Sequence, residues 1–242
     1  MKISERDLSL IREIFPLEAD FLRAVERVES GEPLAYVLGE WYFYGLTFKL
    51  NNDCLIPRAD TEHIVERAIT LIPRGGRFID LCSGSGCIAI SVLHSRPDLH
   101  GDAVEISPEA FAISCENAAL NGVSDRFHAV NGDIFEFSAT EKYDCIISNP
   151  PYIRSDVIPT LDSSVKDYEP MRALDGGESG MDFYLFILRE YRTMLKDGGC
   201  FIFEIGYDQR EDICRLAREL GYGECTVSKD YGGNDRVAVI RL

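Results

Sequence analysis

The spacing of apolar residues divides the chain into a helical start and a longer part in which strands and helices alternate. Near the start, apolar residues recur at helical intervals behind a capping pair formed by Ser4 and Asp7, which predicts a first helix. A second stripe ends near Gly31 and predicts another helix. The two stripes comprise Leu8, Ile11 and Phe15, then Leu17, Phe21, Val25 and Val28.

Two short β-prone runs, 41–44 and 46–50, flank Gly45 and predict a hairpin. Residues 60–72 carry helix caps and a helical apolar pattern that stops at Pro73, so they predict a further helix. These breaks predict three regions: an N-terminal helical segment (1–31), a β-hairpin linker (32–56) and a larger domain (57–242).

Beyond residue 76, short apolar runs alternate with helical patterns. The predicted strands are 77–81, 103–106, 127–130, 143–148, 200–205, 224–228 and 236–241, and the predicted helices are 87–93, 107–121, 181–195 and 208–220. This alternation predicts an α/β fold with a doubly wound, mostly parallel seven-stranded sheet. Ligands of such sheets bind outside the carboxyl ends of the strands, where the winding reverses.

The composition is that of a globular protein, with 45% hydrophobic and 27% charged residues, which excludes the low-hydrophobicity signature of disorder. A formal net charge of -16 at pH 7 argues against a broad surface for nucleic acid, which relies on Lys and Arg. The chain begins without the apolar stretch of a signal peptide, and nowhere do 18 apolar residues run together. We therefore expect a cytoplasmic protein that does not span a membrane.

The eight cysteines are scattered, and no two of them form a Cys-x-x-C pair or a metal-binding pattern with histidine. Several lie within apolar runs. We expect small buried apolar side chains in a reducing compartment, without a disulfide framework and without a bound metal. The histidines form no set with the cysteines, so we expect no histidine in the site either.

The first candidate for chemistry is the glycine turn, defined as residues 82–86, which follows Asp80 at the end of a predicted strand. Glycines at a strand-to-helix turn allow backbone amides to approach a ligand, and Glu105 at the end of the next strand suits a ribose diol. Gly84-x-Gly86-x-x-Ala89 also fits a loose dinucleotide pattern, so an NAD-binding oxidoreductase stays open here. A tight turn without a ligand is the remaining alternative.

The second candidate is the acceptor turn, Asn149-Pro150-Pro151-Tyr152, directly after an apolar strand. Two prolines fix the backbone and remove two donors, which leaves carbonyl acceptors near the glycine turn. A planar NH2 group fits: one N–H to the Asn149 side chain and one to the Pro150 carbonyl, with the Tyr152 ring as a wall. The alternative is a rigid structural turn.

The third candidate is Asn131-Gly132-Asp133-Ile134, which follows another predicted strand and falls at the same sheet edge. Asp133 suits an adenine amino group, and Ile134 suits packing against the adenine ring. A plain polar turn explains this segment nearly as well.

With these residues in place, the chain resembles the class I S-adenosylmethionine-dependent methyltransferases, and in particular the peptide chain release factor N5-glutamine methyltransferases. The resemblance covers roughly residues 31–242. It rests on the glycine and acceptor turns together with Gly31-Glu32-Pro33-Leu34-Ala35-Tyr36, Ile56-Pro57-Arg58-Ala59-Asp60-Thr61-Glu62, Tyr168-Glu169-Pro170, Ala173-Leu174-Asp175-Gly176-Gly177 with Gly180, and Phe203-Glu204-Ile205-Gly206-Tyr207.

The resemblance implies that S-adenosylmethionine is the cofactor, and that the acceptor is the glutamine of a Gly-Gly-Gln loop in a class I release factor. The cofactor-binding residues that it implies are Asp80, Cys82, Ser83, Gly84, Ser85, Gly86, Glu105, Asp133, Ile134 and Asn149. The implied catalytic residues are Asn149, Pro150 and Tyr152, and Pro151 joins them in holding the substrate. No metal is expected, and a monomer is favoured.

The chain departs from the family pattern at Cys82, where glycine is common, at Ala59, where a second proline is usual, and in a short N-terminal helical segment. In the family that segment contacts the release factor, so a short segment leaves other acceptors open. Glutamine methylation of another protein, such as a ribosomal protein, is one alternative. Amino-methylation of DNA bases at adenine N6 is another, because a flipped base offers the same planar NH2. A binding protein that has lost the activity is a third.

Overall fold

The computed structural model describes residues 3–139 and 141–242, which form helices packed around one large sheet and one small hairpin. The helices are α1 (Glu5–Ile14), α2 (Glu18–Glu29), α3 (Leu34–Leu38), α4 (Glu62–Leu71), α5 (Cys87–Ser95), α6 (Pro108–Leu120), α7 (Ser163–Lys166), α8 (Asp182–Glu190) and α9 (Arg210–Glu219). The strands are β1 (Glu40–Phe43), β2 (Leu46–Lys49), β3 (Arg77–Leu81), β4 (His100–Glu105), β5 (Phe127–Asn131), β6 (Tyr143–Ser148), β7 (Leu195–Glu204), β8 (Glu224–Lys229) and β9 (Asp235–Arg241).

The large sheet has seven strands in the order β5-β4-β3-β6-β7-β9-β8. The first five are parallel to one another, and β9 runs antiparallel to both of its neighbours. The large sheet begins with β3 at its centre. The chain then adds β4 and β5 outward on one side and returns to place β6 on the other side of β3. The winding therefore reverses between β3 and β6, which is where a doubly wound sheet binds its ligand.

Helices cover both faces of this sheet because side chains alternate along each buried strand. Phe78 on β3 joins the core beneath α4 and α5, whereas Ile79 joins the core beneath α8 and α9. On β7, Ile202 and Phe203 divide between the same two cores. The predicted fold class is confirmed: a mostly parallel, doubly wound seven-stranded sheet with helices on both faces.

The N-terminal part packs as a small helical cluster around Ile11 and Ala24, followed by the antiparallel β1–β2 hairpin. The first helix is capped as expected, because the Asp7 amide donates to Ser4 Oγ at 3.1 Å. The hairpin is attached to α6 through Asn117, whose side chain accepts from the Lys49 amide at 2.7 Å and donates to the Lys49 carbonyl at 3.0 Å.

Several boundaries differ from the sequence-based expectation. The short helix α3 was not expected, and the helix expected over 181–195 ends at Glu190 and continues as a 3-10 turn through Met194. Residue 195 instead begins β7, earlier than the expected 200. Apolar spacing persists across this junction because both the helix and the strand bury side chains in one core, so the pattern does not reveal where one ends.

One expectation about the cysteines is wrong: Cys214 on α9 and Cys225 on β8 are joined in a disulfide. The two residues are only 11 positions apart, and packing of α9 on the edge strand brings their Cα atoms to 5.5 Å, which is within disulfide range. This contact is tertiary, so scattered spacing could not reveal it. Across residues 3–139 and 141–242, every helix is too short or too polar to cross a membrane.

Candidate functional site

The glycine turn joins β3 to α5 at the point where the winding of the sheet reverses. Three of its residues have left-handed backbones: Cys82 with φ 60°, Gly84 with φ 56° and Gly86 with φ 79°. At Gly86 a Cβ atom would lie 2.9 Å from Ile90 Cδ1 and 3.2 Å from Ser114 Cβ, so helix packing as well as φ requires glycine. Cys82 adopts the same region with a side chain, which costs backbone energy.

Glu105 ends β4 beside this turn, and both of its carboxylate oxygens accept a backbone hydrogen bond. Oε2 accepts from the Gly84 amide and Oε1 from the Ser107 amide, each at 2.8 Å. Burial raises the pKa of Glu105, while these two amides and the Arg172 charge act in the opposite direction. A carboxylate oxygen that accepts one hydrogen bond can accept a second, so both oxygens remain able to bind two vicinal hydroxyls.

Asp80 lies beneath the glycine turn and is fully buried. Its Oδ2 accepts from the Ala89 amide at 3.3 Å in the first turn of α5. Burial raises the pKa of Asp80 to about 8. Within the described part of the chain, Asp80 Oδ1 and the hydroxyls of Ser83 and Ser85 are buried and have no hydrogen-bond partner. Such groups are costly to leave unpaired, so this floor suits a polar ligand.

The acceptor turn begins where β6 ends, in register with the end of β3. Ser148 is paired with Leu81, and its Oγ donates to the Leu81 carbonyl at 2.6 Å. A second chain segment lies against the turn: the Gly176 amide donates to the Ile153 carbonyl at 2.8 Å. A Cβ atom on Gly176 would lie 2.6 Å from Tyr152 Cα, so only glycine permits this close approach.

The segment after β5 closes one end of the site. The Asp133 carboxylate accepts from the Phe135 amide at 2.9 Å, and the Ile134 carbonyl accepts from the Tyr191 hydroxyl at 2.8 Å. The Phe135 ring packs 4.5 Å from the Phe186 ring, centroid to centroid. These contacts fix the loop that carries Asp133 and Ile134 onto α8.

One cavity connects these segments and has a volume of about 1030 Å³ including its open mouth. The predicted site residues that line it are Cys82, Ser83, Gly84, Ser85, Glu105, Asp133, Ile134, Asn149 and Pro151. Four predicted residues are not part of its lining: Asp80, Gly86, Pro150 and Tyr152. Asp80 and Gly86 support the glycine turn from below, whereas Pro150 and Tyr152 belong to the acceptor turn without lining the cavity, and the Tyr152 hydroxyl is bound to Glu204.

Other lining residues had no site role assigned from the sequence, although three of them lie in the motif 56–62. They include Asp53, Leu55, Pro57, Arg58, Thr61, Ile106, Phe135, Arg172 and Phe183. Arg58 forms an ion pair with Glu169, whose side chain is 1% exposed and also accepts from the Ile56 amide at 3.4 Å. The segments around Arg58 and Glu169 carry part of the family resemblance, but their contact is visible only in the folded chain. Phe135 and Phe183 gave no signal, because single aromatic residues near loops are common.

The cavity lining is mainly apolar. Its polar groups lie at the ends of β3, β4 and β6 and on other segments, as Asp53, Arg58, Thr61, Asp133 and Arg172. This combination can enclose a nucleoside-like ligand with a ribose at Glu105 and a flat ring near Ile134. Asn149 adds a carboxamide at the other end. The cavity can therefore bring a nucleoside-type cofactor and a small polar acceptor group into contact.

Comparison with known proteins agrees with this geometry. Residues 61–161 match the family model of the methyltransferase small domain. The chain is 38% identical over 243 residues to a release factor glutamine methyltransferase of Fusobacterium nucleatum, covering 99% of this chain and 66% of that protein. It is also 38% identical over 226 residues to a protein of the same name from Agrobacterium fabrum, covering 90% of this chain and 77% of that protein.

Solved structures support the fold. The hMettl16 catalytic domain superposes with a TM-score of 0.65 at 18% identity, covering 92% of this chain and 80% of that one. A methyltransferase from Pyrococcus furiosus superposes with a TM-score of 0.63 at 19% identity, covering 90% of this chain and 96% of that one. At such identities the likeness shows a shared Rossmann-like methyltransferase fold.

Proposed function

This chain belongs to the release factor glutamine methyltransferase family, and we propose that it transfers a methyl group from S-adenosylmethionine to the glutamine side-chain amide nitrogen (N5) in the Gly-Gly-Gln motif of a class I peptide chain release factor. One observation carries the proposal: Asn149 and Pro151 of the acceptor turn line the same cavity as the glycine turn and Glu105. A methyl donor and an amide acceptor can therefore meet at the ends of β3 and β6.

The residues of the cavity fit the proposed cofactor. The Glu105 carboxylate, held by two backbone amides, would accept both ribose hydroxyls. Asp133 and Ile134 would bind the adenine amino group and ring. The unpaired hydroxyls of Ser83 and Ser85, with Asp80 Oδ1 below them, offer polar partners for the amino-acid end.

The acceptor turn would hold the glutamine amide. One N–H would donate to the Asn149 side-chain oxygen and the other to the Pro150 carbonyl, beside the Tyr152 ring. An amide nitrogen is a weak nucleophile because its lone pair is delocalised into the carbonyl. When bound, S-adenosylmethionine supplies an activated methyl group on a positively charged sulfur.

The protein's own contribution is alignment and charge stabilisation. Holding two reactants in line can lower a barrier by about 7–11 kcal/mol. Positive charge develops on the acceptor nitrogen during transfer, so the hydrogen bonds to Asn149 and Pro150 strengthen in the transition state. As the N–C bond forms, the S–C bond of the donor breaks, and the nitrogen then loses one proton to solvent at the open mouth of the cavity, so no base needs to act first.

The wider organisation follows from the same proposal. We propose 1–31 as a helical segment, 32–56 as the hairpin linker and 57–242 as the methyltransferase domain, in a monomeric cytoplasmic protein. A formal charge of -16 favours a protein acceptor over DNA, because binding to phosphates depends on basic side chains.

One assay tests the proposed acceptor. Methyl-labelled S-adenosylmethionine is offered with a purified unmethylated class I release factor, with ribosomal proteins, or with a DNA oligonucleotide. Label in the release factor is the expected result. Label only in ribosomal protein or only in DNA would overturn the proposed acceptor, and label in none of them would favour a binding protein without activity.

A further inference from the structure

We propose that Glu204 and Gln209 form a clamp: they are positioning residues that hold Tyr152 by its hydroxyl and by its carbonyl, and they thereby fix the acceptor turn. Gln209 binds the Tyr152 carbonyl, and Glu204 binds the Tyr152 hydroxyl. Both side chains come from the end of β7 and the loop that follows it. The inference rests on the proposed function, because it assigns a purpose to side chains that stand behind the acceptor turn.

Gln209 holds this clamp through both its amide nitrogen and its amide oxygen. Its Nε2 donates to the Tyr152 carbonyl at 3.0 Å and to the Gly180 carbonyl at 3.2 Å. Its Oε1 accepts from the Gly206 amide at 2.9 Å; the Tyr184 hydroxyl lies 3.4 Å away, but its hydrogen is donated to the Glu204 carbonyl at 2.7 Å. The side chain is buried, so each of these bonds replaces a contact with water. One carboxamide thus ties three chain segments together.

Two glycines make room for this carboxamide. A Cβ atom on Gly180 would lie 2.5 Å from the Tyr152 carbonyl oxygen and 2.9 Å from Gln209 Nε2. A Cβ atom on Gly206 would lie 3.1 Å from Gln209 Oε1. Gly180 and Gly206 both belong to segments that carry the family resemblance. The clamp gives a physical reason for glycine at both positions.

Glu204 holds the other end of Tyr152. Because β7 pairs with β6 through Phe203 and Ser148, the last residue of β7 lies level with Asn149. Glu204 is 3% exposed, and its Oε1 accepts from the Tyr152 hydroxyl at 3.2 Å. Its backbone carbonyl accepts from the Tyr184 hydroxyl at 2.7 Å. This bond fixes the backbone of Glu204, while its Oε2 is buried and has no hydrogen-bond partner among the described residues, so the Tyr152 hydroxyl is the partner recorded for the carboxylate.

The consequence concerns alignment of the acceptor amide. Without the clamp, the turn would be held by β6 before it and by the Ile153 backbone bonds after it, but the Tyr152 carbonyl and hydroxyl would lose their partners and could shift. Displacements of about 1 Å from residues remote from the chemistry can reduce rates by about 100-fold. Loss of the clamp should therefore lower kcat and leave cofactor binding at Glu105 unchanged.

The first test replaces Gln209 by glutamate, which preserves shape but places a carboxylate against two carbonyls. The matched control is Asn121→Asp, because Asn121 Nδ2 also donates to two carbonyls, of Thr47 and Asn117, away from the cavity. We expect Gln209→Glu to lower kcat about 10- to 100-fold with an unchanged dissociation constant for S-adenosylmethionine. Asn121→Asp should keep wild-type kcat.

Hydrogen exchange gives a readout that needs no acceptor protein. In the wild-type chain the Ile153 amide donates to the Leu174 carbonyl and the Ser155 amide to the Gly177 carbonyl, each at 3.0 Å. Gln209→Glu should accelerate exchange at these two amides and leave β3 and α5 unchanged. Unchanged exchange at both amides would overturn the clamp. If the wild-type chain methylates no release factor, the proposed function fails and this readout still judges the clamp.

A double-mutant cycle separates positioning from general stability. If Glu204 acts through the Tyr152 hydroxyl, Glu204→Leu and Tyr152→Phe should each lower kcat, and the double variant should be no worse than either. Glu204→Gln should retain most turnover, because its amide oxygen still accepts the hydroxyl; it also serves if Glu204→Leu does not fold. Additive losses, or a Glu204→Gln variant as inactive as Glu204→Leu, would contradict this role.

Discussion

The Gly84 amide donates a 2.8 Å hydrogen bond to Glu105 Oε2, although the two residues belong to successive βα units. This bond makes the glycine turn and the carboxylate one rigid element. The same carboxylate binds the Ser107 amide, so it also fixes the start of α6. Cofactor affinity and the geometry of the glycine turn should therefore depend on the same side chain.

Replacing Glu105 by alanine should weaken S-adenosylmethionine binding about 10- to 100-fold, because charge-assisted hydrogen bonds contribute roughly 1.5–3 kcal/mol. Isothermal titration calorimetry measures this directly. Glu116→Ala on α6, the helix that follows Glu105, is a suitable control, because Glu116 is half exposed and pairs with Lys49. Equal affinity of the Glu105→Ala variant would contradict the ribose-binding role.

The Arg58–Glu169 ion pair should contribute to stability as well as shape. Glu169 is almost completely buried, so Arg58→Met would leave its carboxylate with the Ile56 amide but without the opposite charge of Arg58. We expect a loss of about 1–3 kcal/mol in the free energy of unfolding, measured by urea denaturation. Arg23→Met, which breaks an exposed pair with Asp20, should cost less than about 0.5 kcal/mol. Equal effects of the two variants would contradict this account.

Cys82 has a backbone conformation that suits glycine, with φ 60°. The left-handed region costs other residues about 1–2 kcal/mol, while glycine loses about 0.5–1 kcal/mol through the entropy of the unfolded chain. Cys82→Gly should therefore raise the free energy of unfolding by up to about 1 kcal/mol. Cys82→Val should lower it, because β-branched residues tolerate this region least. Thermal denaturation of both variants measures these changes. A Cys82→Val variant more stable than Cys82→Gly would contradict a strained backbone at Cys82.

Asp80 should make stability depend on pH. Its pKa rises from an ordinary 3.8 to about 8 in the folded chain because of burial. The folded protein therefore retains a proton that the unfolded chain has lost, and stability should fall as pH rises from about 4 to about 8. Asp80→Asn removes this dependence, so its stability advantage over the wild-type chain should grow between pH 5 and pH 8 in ~0.1 M salt. A constant difference between the two proteins would contradict the raised pKa.

The sheet and much of the site could be predicted from local pattern. Alternating strands and helices with a glycine turn after β3 predicted the winding, and therefore predicted that the ends of β3 and β6 meet. The expectation that Glu105 and Asn149 serve one cavity followed from topology alone. The start of β7 at Leu195 and the disulfide between Cys214 and Cys225 could not be predicted in this way, because both depend on tertiary packing.

The supporting contacts were harder to predict than the site itself. Arg58 meets Glu169 across 111 residues, and Gln209 meets Tyr152 across 57. Neither pair has a local spacing that predicts contact. Periodicity shows which face of an element is buried, but the partner of a polar side chain depends on how distant segments pack.

The most direct test of the central claim is mass spectrometry of the Gly-Gly-Gln peptide from a class I release factor, after incubation with S-adenosylmethionine and either wild-type chain or Asn149→Ala. We predict one methyl group on the glutamine side chain with the wild-type chain and none with Asn149→Ala, whose affinity for S-adenosylmethionine should stay close to wild type. Full methylation by Asn149→Ala, or a wild-type product methylated at another residue, would contradict the account.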